Sequence, residues 1–556
     1  MPSPPRPIGE VADALGVLPD ELEPYGRYKG KVSLSILPRL AARRPGVYVD
    51  VTCITPTPLG EGKTVTTIGL AMAMNRIGCR AVAAIRQPSL GPVFGVKGGG
   101  AGGGLAQVVP LDEVNLHLTG DIHAVALAHN LLAAMIDSAL MHGTGPALDP
   151  HSLTWPRVMD VNDRALRRVV IGLGGRDNGA PRETGFEIAV ASEAMAILGL
   201  TAGYADLRRR LGRIVVGLTR DGAPVTADDL KAAGAMAAVM RDTVKPNLLQ
   251  TSEGTPAFVH AGPFANIAHG NSSIVADRIG LALGDCVVTE SGFGADMGLE
   301  KFADIKCRAS GLAPDVIVVV CTVRALKMHS GRYRVVAGRP LPAAMLQEDL
   351  GALAEGCANL DAQVANARQY GVPVVVAINA FESDSEAEHA LIRDRAQAAG
   401  AVGAWRSDVF RLGGAGAEEL AAAVLKAAES PHRFRYLYDL DRPVKEKIET
   451  IATRLYGADG VDFTPAAERA MARWSELGYG GLPVCMAKTH LSLSHDPRLL
   501  GRPRGFRLPV REARLSAGAG FLYALCGDMM TMPGLPSAPN AWRIDIDDEG
   551  HVHGLF

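Results

Sequence analysis

No two cysteines in this chain are spaced as CxxC, and the eight present, at positions 53, 79, 286, 307, 321, 357, 485 and 526, are scattered through 556 residues. That pattern excludes the common zinc frameworks and argues against a disulfide scaffold, so buried, reduced thiols are expected. An excess of charge is missing too. Lysine and arginine number 57 against 59 aspartate and glutamate, a formal net charge of −2. Nothing in that balance draws the chain to nucleic acid or to an anionic membrane. The opening MPSPPRPIGE holds no apolar stretch fit for a signal sequence, and no apolar run approaches the roughly 20 residues that span a bilayer. A soluble, cytoplasmic protein is expected.

Glycine is what the chain has in excess, with 63 residues unevenly placed. This implies loops shaped around ligands rather than low-complexity disorder. Hydrophobic residues at 47% and charged residues at 21% fit a folded globular protein. The length exceeds what one core supports, so two to four domains are expected.

Short β-branched runs alternate with helical stretches, which implies an α/β fold: a parallel sheet flanked by helices. Candidate strands are residues 47–52, 81–85, 169–173, 214–218, 285–289, 316–321 and 372–378. Segments 124–141, 187–198 and 230–240 have good helix propensity. In such sheets ligands bind beyond the carboxyl ends of the strands. Those ends here carry CITPTPLGEGKT, RQPSLGP, ESGFGAD, TVRALKMHSG and NAFESDSEAE. Composition shifts at residues 330–342 and 431–443 divide the chain into a nucleotide-binding α/β domain over 1–335, a second, smaller α/β domain over 336–445 and a C-terminal one over 446–556. No repeat of solenoid period is present.

The segment Thr57-Pro58-Leu59-Gly60-Glu61-Gly62-Lys63-Thr64 lies between a strand and a helix and ends as a phosphate-binding loop does, with Thr57 in place of the first glycine. Glycines let backbone N–H groups converge on phosphate oxygens, and the helix N-terminus adds partial positive charge. Lys63 reaches the terminal phosphates, and Thr64 has the hydroxyl that holds Mg²⁺ in such loops. Together these residues point to ATP or GTP. A second glycine-rich cradle follows: in Gly98–Gly104, six of seven residues are glycine. A flexible linker fits poorly, because apolar segments continue on both sides of the run inside a sheet domain. A backbone surface pressed against a ligand fits better, with Gly98, Gly99, Gly102 and Gly103 flanked by Arg86 and Lys97 as fixed positive charge. A guanidinium such as Arg86 grips two oxygens of a carboxylate or acyl phosphate.

These segments, with VNLHLTGDIHAVALAHNLLAAMIDS, KPNLLQTSEGTPAFVHAGPFANIAHG, TESGFGADMGLEKFADIKCR and MPGLPSAP in collinear order from about Tyr25 onward, resemble the formate–tetrahydrofolate ligases of the monofunctional bacterial type. The resemblance implies attack of formate on the γ-phosphate of ATP, giving formyl phosphate and ADP, then transfer of the formyl group to the amine of tetrahydrofolate, giving 10-formyltetrahydrofolate. It also implies a homotetramer stimulated by a monovalent cation. Carried over by motif, Lys63 and the 57–64 loop hold ATP and Arg86 holds formyl phosphate. Asp121 lies near the folate site, Phe293 close to the intermediate or nucleotide, and Phe381 against the pterin.

Two positions depart from the family pattern on the acceptor side. Gln87 stands where glutamate is usual, and Phe410 where tryptophan forms the second wall of the folate site. They predict a weakened or retuned folate site. Two other readings remain: a phosphate-loop ATPase driving a partner protein, and a ligase relic with an altered folate site. His117, His123 and His129 are read as packing or hydrogen-bonding residues rather than metal ligands. Arg324 and Lys327 lie just past a strand, either touching nucleotide or serving the fold. Asp304 and Glu300 are expected to pair with Lys301 or Lys306.

Overall fold

The computed structural model describes residues 4–95, 100–336 and 340–555. Seven parallel strands form its centre: β1 (Val47–Cys53), β2 (Ala81–Ile85), β3 (Pro256–Val259), β4 (Cys286–Glu290), β5 (Val316–Cys321), β6 (Val374–Asn379) and β7 (Gly403–Ser407). They lie side by side in the order β3-β2-β4-β1-β5-β6-β7. Beyond β3, Asn247–Thr251 turns antiparallel and pairs with Gly30–Val32 and Ala106–Val109. The β-branched runs at 47, 316 and 374 are buried on both faces, as parallel strands covered by helices must be.

Successive side chains of a strand point to opposite faces, and the two faces build separate cores. Val49, Val51, Ala83, Ile85, Val288, Val318, Val320 and Val375 pack against α1 (Lys63–Arg76) and against Leu420 and Val424 of a helix over Glu418–Ala428. Tyr48, Val82, Ala84, Val287, Ile317, Val319 and Val376 face the other way, toward a core that includes Ile279, Leu353 and Leu360. Burying each large aliphatic side chain contributes on the order of 1.5–3 kcal/mol. The C-terminal residues add a parallel pair, Gly460–Phe463 with Arg507–Val510, and a three-stranded sheet of Val484–Ala487, Phe521–Leu525 and Glu512–Ser516.

Five of the seven candidate strands enter the large sheet. The other two are corrected: Val169–Ile171 pairs with Arg182–Thr184 and Val215–Leu218 with Pro224–Thr226, each as a local antiparallel pair. Their intervening turns, rich in glycine, proline and aspartate, close each run on a neighbouring segment before it can reach the sheet. The expectation that no segment approaches membrane-spanning length is also corrected. Helix α2 (Asp121–His142) has 22 residues and a window of mean hydropathy 1.5, enough to cross a bilayer by length and composition. It lies with one face packed against the core and the other exposed. Ile122, Val125, Ala128, Leu132 and Ile136 are buried along one side. Asp137 pairs with Arg157 at 2.7 Å and Arg182 at 2.6 Å.

Candidate active site

Strand β4 lies between β1 and β2, so the loop after β1 and the residue after β2 reach the carboxyl edge on either side of Glu290, the last residue of β4. The 54–62 loop is held tightly. Thr55 N donates to Asn359 Oδ1 at 3.0 Å, and its hydroxyl accepts from Asn359 at 2.8 Å and from Gln363 at 3.0 Å. Glu61 folds back and accepts from Thr57 N at 2.7 Å and Thr57 Oγ1 at 2.9 Å. Burial pushes its carboxyl up to about 7. Gly62 opens α1 with φ 76°, and a Cβ there would lie 2.1 Å from Asn379 Nδ2. Only glycine satisfies both demands. Asn379, at the end of β6, donates to the Glu61 carbonyl at 3.1 Å.

Lys63 Nζ donates to the Phe293 carbonyl at 3.2 Å and lies 3.8 Å from Cys53 Sγ. Thr64 Oγ1 donates to Glu290 Oε2 at 2.7 Å. Glu290 Oε1 stands 3.7 Å from Arg86 Nε, an atom with no hydrogen-bond partner within the protein. A Cβ added at Gly292 would lie 3.4 Å from Arg86 Nη1, so the chain after β4 also lies against the guanidinium. Loop hydroxyl and arginine thus converge on one carboxylate. Behind it, burial pushes the Asp50 carboxyl up to about 7, and Ser291 Oγ donates to it at 2.5 Å.

Phe293 adopts φ 63°, an uncommon value for a residue with a side chain, and its ring stacks on His490 with centroids 4.3 Å apart. His490 also lines a cavity of about 500 Å³ with Phe264, Asn266, Thr489, His495 and Arg511.

Lys97, Gly98 and Gly99 lie outside the described residues. The rest of the glycine ribbon is pressed onto protein. Gly102 and Gly103 pair with Gln107 and Ala106. A Cβ at Gly103 would lie 3.2 Å from the Phe410 ring, and one at Gly104 2.1 Å from the Phe410 carbonyl. Leu105 N donates to that carbonyl at 2.8 Å. The ribbon's glycines therefore admit the 410 segment to the neighbourhood of α1. Gly69 of α1 does the same from the other side, where a Cβ would meet Val409 at 2.3 Å.

The acceptor-side residues are more dispersed. Phe381 follows β6 and carries the Arg324 guanidinium 3.8 Å above its ring. Phe410 follows β7 with 58% of its surface exposed. Arg411 joins the two loops, 3.3 Å from Glu382 and 2.5 Å from Asp408. Gln87 is buried and its side-chain oxygen lacks a partner. Asp121 is buried with both oxygens engaged, by Lys31 at 2.8 Å and by Asn247 at 2.7 Å.

His117 and His123 share a hydrogen bond of 2.7 Å, and His129 bonds the Pro156 carbonyl at 2.8 Å. Among the described residues no three His, Cys, Asp or Glu side chains cluster for a metal. The expected pairing of Glu300 and Asp304 is corrected: Lys301 donates to the Ala265 and Asn266 carbonyls, Lys306 pairs with Asp277, and Asp304 pairs with Arg308. Glu300 is buried with neither oxygen hydrogen-bonded, and burial raises its pKa well above the usual carboxylate range. Lys327 serves the fold, buried against Glu388 and the Gln347 carbonyl.

Sequence reasoning passed over Glu290, Asn379 and His490. Glu290 carried a usable signal: an acid closing a strand and opening the glycine-rich ESGFGAD. His490 carried none.

Residues 2–556 match the family model described as formate–tetrahydrofolate ligase. A protein so named from Roseiflexus sp. (strain RS-1) is 60% identical over 550 residues, spanning 99% of this chain and 98% of its own. Those of Saccharopolyspora erythraea and Desulforamulus reducens are 59% and 56% identical, each spanning 99% of this chain and 97% of their own.

Proposed function

Since the chain belongs to the formate–tetrahydrofolate ligase family and is an ATP-dependent ligase joining formate to tetrahydrofolate, we propose that its reaction runs through a formyl phosphate seated between Lys63 and Arg86. One observation carries this reading: Thr64 and Arg86 approach the same carboxylate, so a triphosphate on the 57–64 loop and an anion on Arg86 would be neighbours.

In this reading residues 57–64 act as a phosphate-binding loop. The backbone donors of the loop and of the first turn of α1 take the phosphate oxygens, and Lys63 exchanges the Phe293 carbonyl for the γ-phosphate. Arg86 holds formate so that a carboxylate oxygen faces the γ-phosphorus. Formate is a weak nucleophile, so alignment and charge neutralisation supply the rate. The formate O–P bond forms as the bond to the ADP oxygen breaks. The tetrahydrofolate amine then attacks the formyl carbon, the C–O bond to phosphate breaks, and the amine gives up its proton. Mg²⁺ entering with ATP supplies further neutralisation at the phosphates, and the Thr64 hydroxyl is an oxygen donor of the kind it takes. The stacked rings of Phe293 and His490 would cover one side of the acyl phosphate and limit its exposure to water. Phe381 and Phe410, on the ends of adjacent strands, offer two π faces for a flat pterin.

The domain limits at 335/336 and 445/446, a cytoplasmic location, homotetrameric assembly and stimulation by a monovalent cation accompany this reading by family resemblance. So does a cradle role for Lys97, Gly98 and Gly99.

The test is ADP release from purified protein with ATP, Mg²⁺, formate and tetrahydrofolate, omitting each in turn. Release must require both formate and tetrahydrofolate, and Lys63→Ala must abolish it. Release that ignores both would mark a partner-driven ATPase. No release from the wild-type protein would mark a relic.

A further inference from the structure

We propose that Glu290 is the metal-positioning residue of this site, holding the Thr64 hydroxyl for the divalent cation that accompanies ATP and aiming Arg86 with its other oxygen. The inference rests on the reading that residues 57–64 bind the nucleotide.

The two oxygens of Glu290 divide their work. Oε2 accepts from Thr64 Oγ1 at 2.7 Å, which leaves the hydroxyl's lone pairs to face another partner. A hydroxyl whose proton is taken by a carboxylate is a ready ligand for a hard cation. Phosphate-loop enzymes use this pairing, with the loop Ser or Thr and an acid from another segment meeting at the metal. Strand order supplies the acid here, because β4 runs beside β1 and ends at the level of the loop.

Oε1 faces Arg86 Nε at 3.7 Å, too long for a hydrogen bond, and that nitrogen has no other partner. A purely structural ion pair buried to this degree would close that gap. The guanidinium is oriented and left short of a partner, as suits a group that must still receive an anion.

The charge of Glu290 also sets a requirement. The side chain is 4% exposed and stands at the place where phosphate oxygens arrive. Two like charges a few ångström apart in such surroundings repel strongly, unless a cation lies between them. The acid therefore discriminates against metal-free nucleotide and favours the metal complex.

Calorimetric titration of the full chain with ADP, in Mg²⁺ and in EDTA, tests the proposal. In wild-type protein Mg²⁺ must tighten ADP binding, and in Glu290→Gln that gain must shrink by roughly 10- to 100-fold, the usual scale for residues that orient metal ligands. Glu290→Asp keeps the charge, but its shorter side chain withdraws from Thr64 as well as from Arg86, so it must lose part of the Mg²⁺ gain and raise the KM for formate more than it lowers kcat. An equal Mg²⁺ gain in wild type and Glu290→Gln overturns the proposal alone. Failure of wild-type protein to bind ADP overturns the nucleotide reading and this inference with it. Should Glu290→Gln not fold, Glu290→Asp decides: a full wild-type Mg²⁺ gain, or an unmoved KM for formate, overturns the proposal.

Discussion

Glu61 shows how a residue in a recognisable motif can serve the loop instead of the ligand. Its side chain accepts two hydrogen bonds from Thr57 and is cut off from solvent, which raises its pKa to about 7. A carboxyl raised in the folded state binds its proton more tightly there than in the unfolded chain. Its stabilisation is therefore complete below the unfolded value of about 4.5 and is lost as pH rises through 7. Glu61→Gln, neutral at every pH, should melt progressively higher than wild type as pH goes from 5 to 8, a relative gain of up to about 3 kcal/mol. Parallel melting curves for the two proteins across that range would sink the idea. Lys63, Thr64 and Arg86 stood out as candidates because each sits in a local pattern. Glu290 gave only the signal of its strand end, and its pairing with residues 64 and 86, more than two hundred positions away, was not legible.

At the scale of elements, strands buried on both faces announced themselves as continuous apolar runs at 316 and 374, and at 47 as an apolar run interrupted by Asp50 and Thr52. Strand β3 begins with Pro256 and follows a glycine-containing turn, and β7 reads GAWRS with alternating exposure. Neither has the apolar continuity of a central strand, so neither stood out, yet β7 carries Phe410 to the site. The segment after it is held by Gly69 on one side and Gly104 on the other, an arrangement visible only once both backbones are in place. The exposed Phe410 ring leaves room for a larger one. Phe410→Trp should therefore lower the KM for tetrahydrofolate about fivefold, matching about 1 kcal/mol of added aromatic contact. Gln87→Glu should lower it further by giving the acceptor side a carboxylate. A KM that neither substitution moves would mean that these positions do not tune the folate site.

The whole molecule adds something no single element supplies, a connection from the C-terminal residues back onto the 54–62 loop. Lys488, just past the strand Val484–Ala487, is fully buried and pairs with Asp296 at 2.8 Å. It also donates to the Ser492 carbonyl at 2.6 Å and the Thr489 carbonyl at 3.1 Å, which shapes the turn presenting His490 to Phe293. Asp296 is tied in turn to Gln363, which holds Thr55 at the base of the loop. Breaking a buried pair from one side leaves an uncompensated charge, which costs about 3–5 kcal/mol. Lys488→Met should destabilise the protein by that amount in urea unfolding. It should also weaken ADP binding, because the Phe293 carbonyl that orients Lys63 loses its support. Adding Asp296→Asn removes the stranded charge, so the double variant should recover part of the stability lost in Lys488→Met. It should not recover ADP affinity, since the turn at 489–492 stays unanchored. Strictly additive stability losses in this cycle, or wild-type ADP affinity in the folded Lys488→Met protein, would show that the C-terminal residues cover the site without positioning it.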